Sequence, residues 1–290
     1  MSELDPRFPP ELEQEICLQT YFLCTTTKKP RSVHLMLVAR RFHDWVAKHK
    51  YCTLQQLSHE HNIFEKLVPA SSGKYYGPFV KHLMMGGAQD KDQLETLLRH
   101  CPNVVDLAIW SPHDTSLFVE LLATESRSVR LRSISTNFSS LSEDDIVGPA
   151  FSKVSHLDVT NMGGKELARW TILTRLPELT HLIINEEVTP EVIRCLLKGC
   201  QHLQILVLAR SPGYDLGTEI RDRRLVLLKI SRYTIDDWMA FVNGTSEDIF
   251  SIAESISRAK SAGYKDCHTR WISSHRVKED LMELGYHGNI

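Results

Sequence analysis

One short apolar pattern recurs through the centre of this chain and constrains its fold more than any other feature. Seven segments have the form apolar-x-x-apolar-x-apolar and begin at positions 80, 104, 131, 154, 179, 203 and 225, at intervals of 24, 27, 23, 25, 24 and 22 residues. A single unit of this length cannot cover its own apolar face, so the units must stack on one another into a continuous core. The segments are Val80/Leu83/Met85, Val104/Leu107/Ile109, Leu131/Ile134/Thr136, Val154/Leu157/Val159, Leu179/Leu182/Ile184, Leu203/Leu206/Leu208 and Leu225/Leu228/Ile230.

Helix signals occupy the intervals between these segments. Thr189 and Pro190 form a well-defined helix start, with an N-cap threonine followed by proline at the first helical position. Strands that alternate with helices at this period resemble leucine-rich repeats, although the position shortly after the third apolar residue where that family has asparagine is occupied by other residues, Ala88, Pro112, Ser139, Met162, Glu187, Ser211 and Tyr233. We therefore expect an α/β fold with an irregular leucine-rich-repeat-like solenoid of about seven repeats over residues 75–234.

Two helical stripes precede the repeats. The first contains Leu12 and Ile16, and the second contains Leu35, Val38 and Phe42, with a polar loop between them. A pair of helices this small has little core of its own. It should pack on the solenoid or on a partner.

These helices resemble the F-box over residues 7–57. The family opens with Leu-Pro-x-Glu-Leu and an isoleucine one turn later, and this chain has Phe8-Pro9-Pro10-Glu11-Leu12 followed by Ile16. The family's Val-Cys-Arg-Arg-Trp is similar to Val38-Ala39-Arg40-Arg41-Phe42, with Trp45 one turn on. The departures are Phe8 for leucine, Ala39 for cysteine, Phe42 for tryptophan and a longer loop between the helices.

The resemblance implies a substrate-recognition subunit of an SCF-type E3 ubiquitin ligase that docks on the Skp-type adaptor and presents a protein substrate on its repeats. The open alternative is a leucine-rich-repeat scaffold whose N-terminal helices serve only as a cap. A cap should bury the apolar side of Val38 and Trp45, whereas a docking module should leave part of that surface, or the helix around Leu12 and Ile16, open to solvent. The residues implied for the adaptor face are Pro10, Leu12, Ile16, Leu37, Val38 and Trp45.

The sheet face opposite the repeat core is the expected substrate surface. Strand alternation points the third, fifth and seventh positions of each repeat toward this face. An exposed Trp110 among polar neighbours and histidines on successive repeats suggest a binding surface. Residues that face solvent and bind nothing would show the same pattern in the sequence. The candidates are His82, Trp110, Asn137, His156, His181 and Asn185.

The repeat pattern ends after Ile230, and residues 235–290 form a separate C-terminal segment. Thr245-Ser246-Glu247-Asp248 can cap a helix that carries Ile249, Ile252 and Ile256 on one face. We expect this helix to close the open core at the last repeat.

Composition narrows the function further. The net charge is -2, which argues against nucleic acid as the main partner, and no apolar run is long enough to span a bilayer. We find no catalytic constellation, and we expect no enzymatic activity, cofactor or metal. The seven scattered cysteines lack paired spacing, which favours reduced thiols in an intracellular protein of the cytoplasm or nucleus.

Overall fold

The computed structural model describes residues 8–26, 32–56, 76–86, 91–124, 131–164, 166–209, 220–229, 235–242, 248–263, 272–273 and 282. Four features of the sequence lie outside these ranges: the His-Glu-His run at residues 59–61, Ile230, the proposed cap residues 245–247 and Cys267.

The architecture is α/β, with one open sheet in which neighbouring strands are parallel. Within the described residues, nine strands follow one another across the sheet in the order of the sequence. Each connection therefore leads to the adjacent strand. The strands are β1 (Thr53–Gln56), β2 (His82–Met85), β3 (Asp106–Ile109), β4 (Ser133–Asn137), β5 (His156–Asn161), β6 (His181–Ile184), β7 (Ile205–Ala209), β8 (Leu225–Lys229) and β9 (Ile272–Ser273).

Ten α-helices occur within the described residues, together with short 3-10 turns at Gly77–Phe79 and Ile172–Arg175. The helix at Pro190 begins where the sequence predicted, with Thr189 at the N-cap. The helices are α1 (Pro10–Thr26), α2 (Ser32–Val38), α3 (Arg40–Lys50), α4 (Lys91–His100), α5 (Pro112–Thr124), α6 (Glu143–Ile146), α7 (Leu167–Thr171), α8 (Pro190–Gly199), α9 (Ile235–Val242) and α10 (Ile249–Ser261).

One face of the sheet, the core face, packs against the connecting helices. The second apolar residue of each of the first six repeats forms a row across neighbouring strands, exemplified by Leu157, Leu182 and Leu206, and all three are fully buried. Apolar side chains from α4, α5 and α8 complete the same cluster. Full burial of a leucine of this kind contributes about 1.5–3 kcal/mol, so the row is a principal source of stability.

The register predicted for the seventh repeat is wrong by three residues. Leu225 pairs with Leu206 and not with Leu203, so Leu225 and Leu227 face the core while Leu228 lies on the opposite face. Every residue of the run Leu225–Leu228 is apolar, so the run alone does not show which of its side chains face the core. Strands buried on both faces are typically continuous apolar runs of this sort.

The opposite side of the sheet, here called the second face, is covered by α9 and α10. Ile183, Ile205, Val207 and Leu228 form a buried cluster with α10, and Trp238 of α9 packs against Met84 and Ala108. The expectation that the C-terminal helix closes the end of the solenoid is therefore wrong. An end cap would leave these apolar strand residues in water, whereas a helix laid across the sheet buries them.

Helix α10 starts at a single well-made cap. The Asp248 carboxylate accepts hydrogen bonds from the backbone amides of Phe250 and Ser251 at 2.9 and 3.0 Å. At the other end of the helix, the buried ammonium of Lys260 donates to the carbonyl of Leu225 on β8. The helix is thus fixed at both ends.

Helices α1, α2 and α3 pack on one another before β1, and α3 also contacts the first 3-10 turn. The division into segments at 7–57, 75–234 and 235–290 stays a prediction. In the part of the chain described here, no helix combines the length and apolarity needed to cross a membrane.

Candidate interaction surfaces

The first candidate surface lies on α1 and α2. Leu12 and Ile16 are 52% and 53% exposed, and Leu37 and Val38 are 78% and 67% exposed. Surface helices usually turn such residues toward a core. Here a stretch of apolar side chains from two neighbouring helices faces solvent.

The same helices have a buried side, which accounts for their packing. Cys17 of α1 and Val46 and Ala47 of α3 are buried, and an ion pair links Arg41 to Glu13 at 2.9 Å. Since this side already joins α1 to α3, Leu12 and Ile16 do not serve that contact.

Each predicted adaptor residue has a defined environment. Pro10 is exposed, like the four residues above, whereas Trp45 is half-buried and stacks on Phe42 with 5.5 Å between ring centroids. Tyr51 at the end of α3 stacks on Tyr76 at 3.9 Å and so ties the helices to the first repeat. The exposed apolar patch, defined as Phe8, Leu12, Ile16, Leu37 and Val38, therefore lies on α1, the residues just before it, and α2.

The second face of the sheet is polar near its first strands and centres on a buried carboxylate. Asp106 accepts hydrogen bonds from Arg132 at 2.8 and 2.9 Å and from Ser133 at 2.8 Å, and it pairs with His82 at 2.7 Å. Burial alone would raise the pKa of Asp106, but these donors more than offset it and lower the pKa overall. The carboxylate is therefore held in its charged form.

His82 is charged for the complementary reason. Burial of the ring opposes the charge, but hydrogen bonds with Asp106 and with the thiol of Cys52 raise its pKa to about 9. The pair is thus a buried imidazolium–carboxylate bridge at neutral pH, extended by the half-exposed Arg132.

A chain of hydrogen bonds joins two of the predicted surface residues through residues that were not singled out. Trp110 donates its indole N–H to Ser135 at 2.9 Å, Ser135 donates to Asp158 at 2.6 Å, and Asn185 donates to the same carboxylate. Ser135 and Asp158 occupy fifth positions of their repeats, where polar residues between buried strands are the available sequence signal. Asn137 stands apart and accepts from the amide of Ser139 in the turn after β4.

His156 and His181 form a stacked pair beneath α10. Their ring centroids are 4.3 Å apart with an interplanar angle of 2°, and the edge of Phe250 meets both rings at 5.0 and 5.6 Å. His181 is also within 3.1 Å of the Glu254 carboxylate. Burial, aided by the neighbouring His181 and Arg132, lowers the pKa of His156 to about 4.

The second face is consequently not the open surface that we expected. His181 is buried and the other five candidates (His82, Trp110, Asn137, His156 and Asn185) are half-buried. The expectation of an exposed Trp110 is wrong, because its ring packs beside Trp238 and Met84. The sequence signal that we passed over is Phe241 and Phe250, two aromatics on the C-terminal helices that now cover the histidines.

Two cysteines that each lie three residues before the start of a repeat segment are core residues. Cys101 and Cys200 are buried, and desolvation raises the pKa values of their thiols to about 12 and about 11. Thiols of this kind are inert at neutral pH. Among the described side chains, no three His, Cys, Asp or Glu residues converge as metal ligands would.

No family model matches this chain, and no curated protein matches it. The sequence patterns and the geometry given above are therefore the grounds on which a function can be assigned.

Proposed function

We propose that this protein is a substrate-recognition subunit of an SCF-type E3 ubiquitin ligase. In this proposal the N-terminal helices dock on the Skp-type adaptor, and the repeats, a leucine-rich-repeat solenoid, carry the substrate. The role is one of binding, and no residue is assigned to catalysis.

The observation that carries the proposal is the exposed apolar patch. Its five residues are all more than half exposed, and they account for most of the large exposed apolar side chains in the described part of the chain. Leu12, Ile16, Leu37 and Val38 are also four of the six residues that the F-box resemblance assigns to the adaptor. A sequence motif and an exposed surface thus have these four side chains in common.

Physical chemistry favours a helical partner for such a patch. Fully burying one aliphatic side chain of this size contributes about 1.5–3 kcal/mol, so four of them supply the apolar centre that interfaces between proteins need. Apolar side chains one turn apart, as in Leu12 and Ile16, are suited to the groove of a helical protein.

Support for the repeat architecture comes from the sheet. Strands follow at short, nearly regular intervals, run parallel and stand in sequence order, and the apolar residues of the repeats fill one continuous core. Stacked strand–helix units give this arrangement.

The alternative is a scaffold whose N-terminal helices only cap the first repeat. The half-buried Trp45 and the stacking of Tyr51 on Tyr76 favour it. A cap, however, gives no role to Leu37 and Val38, the most exposed members of the patch.

The test is co-purification of the full chain with a recombinant Skp-type adaptor. We expect wild-type protein to form a stable complex, and Leu12→Asp/Ile16→Asp to abolish it, because two carboxylates in an apolar interface lose their hydration without gaining partners. Both positions are exposed, so the variant should unfold at the same urea concentration as wild type.

A matched control is available on the same helix. Glu15 and Gln19 are exposed, one turn apart, and hydrogen-bonded to each other at 2.9 Å. Glu15→Ala/Gln19→Ala should leave the complex intact. A well-folded wild-type protein that shows no adaptor binding, or equal losses in both variants, would exclude the proposal and leave the scaffold alternative.

A further inference from the structure

A basic cleft lies near the last strands, far along the sheet from the N-terminal helices. It has a volume of about 300 Å³ and is formed by α8 and the segment leading into β8. Its walls carry four cationic side chains against one carboxylate, and its apolar part consists of Leu197 and Ile220. The cationic residues are Arg194, Lys198, Arg221 and Arg224, and the carboxylate is Asp222.

One of these cations, Arg224, is neutralised by a neighbouring carboxylate. Arg224 donates to Asp222 at 2.7 and 3.0 Å and to the carbonyl of Leu197 at 2.7 Å. The hydrogen bonds from Arg224 hold the pKa of Asp222 below its usual range. The ion pair is therefore permanent at neutral pH, and its two charges cancel.

Lys198 and Arg221 give the cleft its charge. Lys198 and Arg221 are exposed, and among the described residues neither has a hydrogen-bond or ion-pair partner. Arg194 has a weak surface contact with Glu191 at 3.6 Å. In a chain whose net charge is -2, this is a local concentration of positive charge on a concave surface.

We propose that this cleft binds an acidic peptide segment of a partner protein, with carboxylate or phosphate groups on Lys198 and Arg221 and a small apolar side chain on Leu197 and Ile220. The size of the cleft suits two or three side chains. An apolar floor matches a peptide better than a sugar–phosphate backbone, which requires an extended basic track. If the proposed function holds, the bound segment is the substrate, and this step rests on that proposal.

The apolar patch and the basic cleft lie near opposite ends of the series of strands. The apolar patch belongs to the helices that precede β1, and the basic cleft adjoins β8, with the whole ordered series of strands between them. A partner at one end therefore leaves the other end accessible.

The experiment measures fluorescence anisotropy of a fluorescein-labelled peptide of consecutive glutamates added to the full chain at low salt, without any adaptor. We expect saturable binding that weakens as salt is added, because the contacts are exposed ion pairs. Lys198→Glu/Arg221→Glu should weaken the affinity by about tenfold or more. The control Lys48→Glu/Lys81→Glu makes the same change in net charge on α3 and just before β2, and it should leave the affinity within about twofold.

Further probes identify the ligand chemistry. A version of the peptide with phosphoserines at its centre distinguishes phosphate from carboxylate as the preferred group, and either preference supports the site. Absence of saturable binding, equal loss in both double variants, or tighter binding of an oligothymidylate would overturn the proposal. Adaptor co-purification of Lys198→Glu/Arg221→Glu should remain normal, so failure here and failure of the adaptor test are distinguishable.

Discussion

At the residue scale, the stacked histidines link burial to protonation. Two imidazolium rings 4.3 Å apart would repel each other beneath Phe250, so the folded state favours the neutral forms. Unfolding returns His156 to a pKa near 6.5, well above the value of about 4 in the folded protein. Below pH 6.5 the unfolded chain therefore binds more protons than the folded chain, which costs stability as the solution is acidified.

We predict that this pair produces a measurable fall in the free energy of unfolding as the pH is lowered, here called the acid limb. Between pH 6.5 and pH 4, His156 should add to the loss of unfolding free energy a slope of up to about 1.4 kcal/mol per pH unit. His156→Asn should make this limb shallower in urea titrations, while His113→Asn, at an exposed position, should leave it unchanged. Identical limbs in wild type and His156→Asn would contradict the assignment.

His82 changes the stability with pH in the opposite direction. Its pKa is raised to about 9 in the folded protein, so its contribution to stability is complete below pH 6.5 and is lost as the pH rises toward 9. On the same sheet face, His156 therefore reduces stability at acid pH, and His82 ceases to contribute stability at alkaline pH. Both rings are desolvated, and the difference lies in their neighbours: His82 has a carboxylate beside it, whereas His156 has another imidazole.

At the scale of elements, α10 matters more than its position at the end of the chain suggests. Its apolar side is buried against β6, β7 and β8, and Phe250 seals the histidine pair. The helix therefore belongs to the core.

We predict that Phe250→Ala lowers the free energy of unfolding by about 3–4 kcal/mol, the range for removing a buried aromatic side chain. Ser261→Ala at the exposed end of the same helix should change it by less than about 0.5 kcal/mol. The measurement is urea unfolding, compared by midpoint and slope. A loss below about 1 kcal/mol for Phe250→Ala would show that the helix is not firmly seated.

Sequence reasoning placed the strands of the first six repeats in register, including the wholly apolar Ile205–Ala209, because the spacing between those repeats is nearly constant. In the fifth repeat, His181 and Leu182 alternate clearly across the sheet, and the strand was placed in register. In the seventh, Leu225–Leu228 shows no such alternation, and the register depends on which side chains α10 covers. That information lies in tertiary packing between distant segments, which periodicity cannot report.

The candidate surfaces show the same limit. A helical stripe such as Leu12 and Ile16 has the same pattern whether its own chain or a partner buries it, so only the fold reveals the exposure. The basic cleft was missed because Lys198 and Arg221 are separated in sequence and come together only where α8 lies beside the segment leading into β8.

At the scale of the whole molecule, the central strands of the sheet are covered on both faces, whereas its edge strands are short. Strands β3 to β7 have buried side chains on both faces, whereas β1 and β9 are edge strands of four and two residues. Opening free energies in a protein follow such differences in burial.

We predict a matching gradient in native-state hydrogen exchange. Amides in β5, β6 and β7 should be the slowest, with protection approaching the global unfolding free energy, while those of β1 and the first turns of α1 should exchange by local opening. Phe250→Ala should accelerate β6 and β7 more than β2. Uniform protection across the sheet would contradict this order.

Because α10 follows the strands in sequence, the second face of the sheet is covered only after those strands have been synthesised. Ile183, Ile205 and Val207 leave the ribosome well before α10, which completes their burial. At about 5–20 residues per second, the stretch from the end of β7 to the end of α10 takes roughly 3–10 s to make. For that interval the apolar residues of the second face are exposed on the nascent chain, so the need for chaperones is greatest while residues 210–261 are being made.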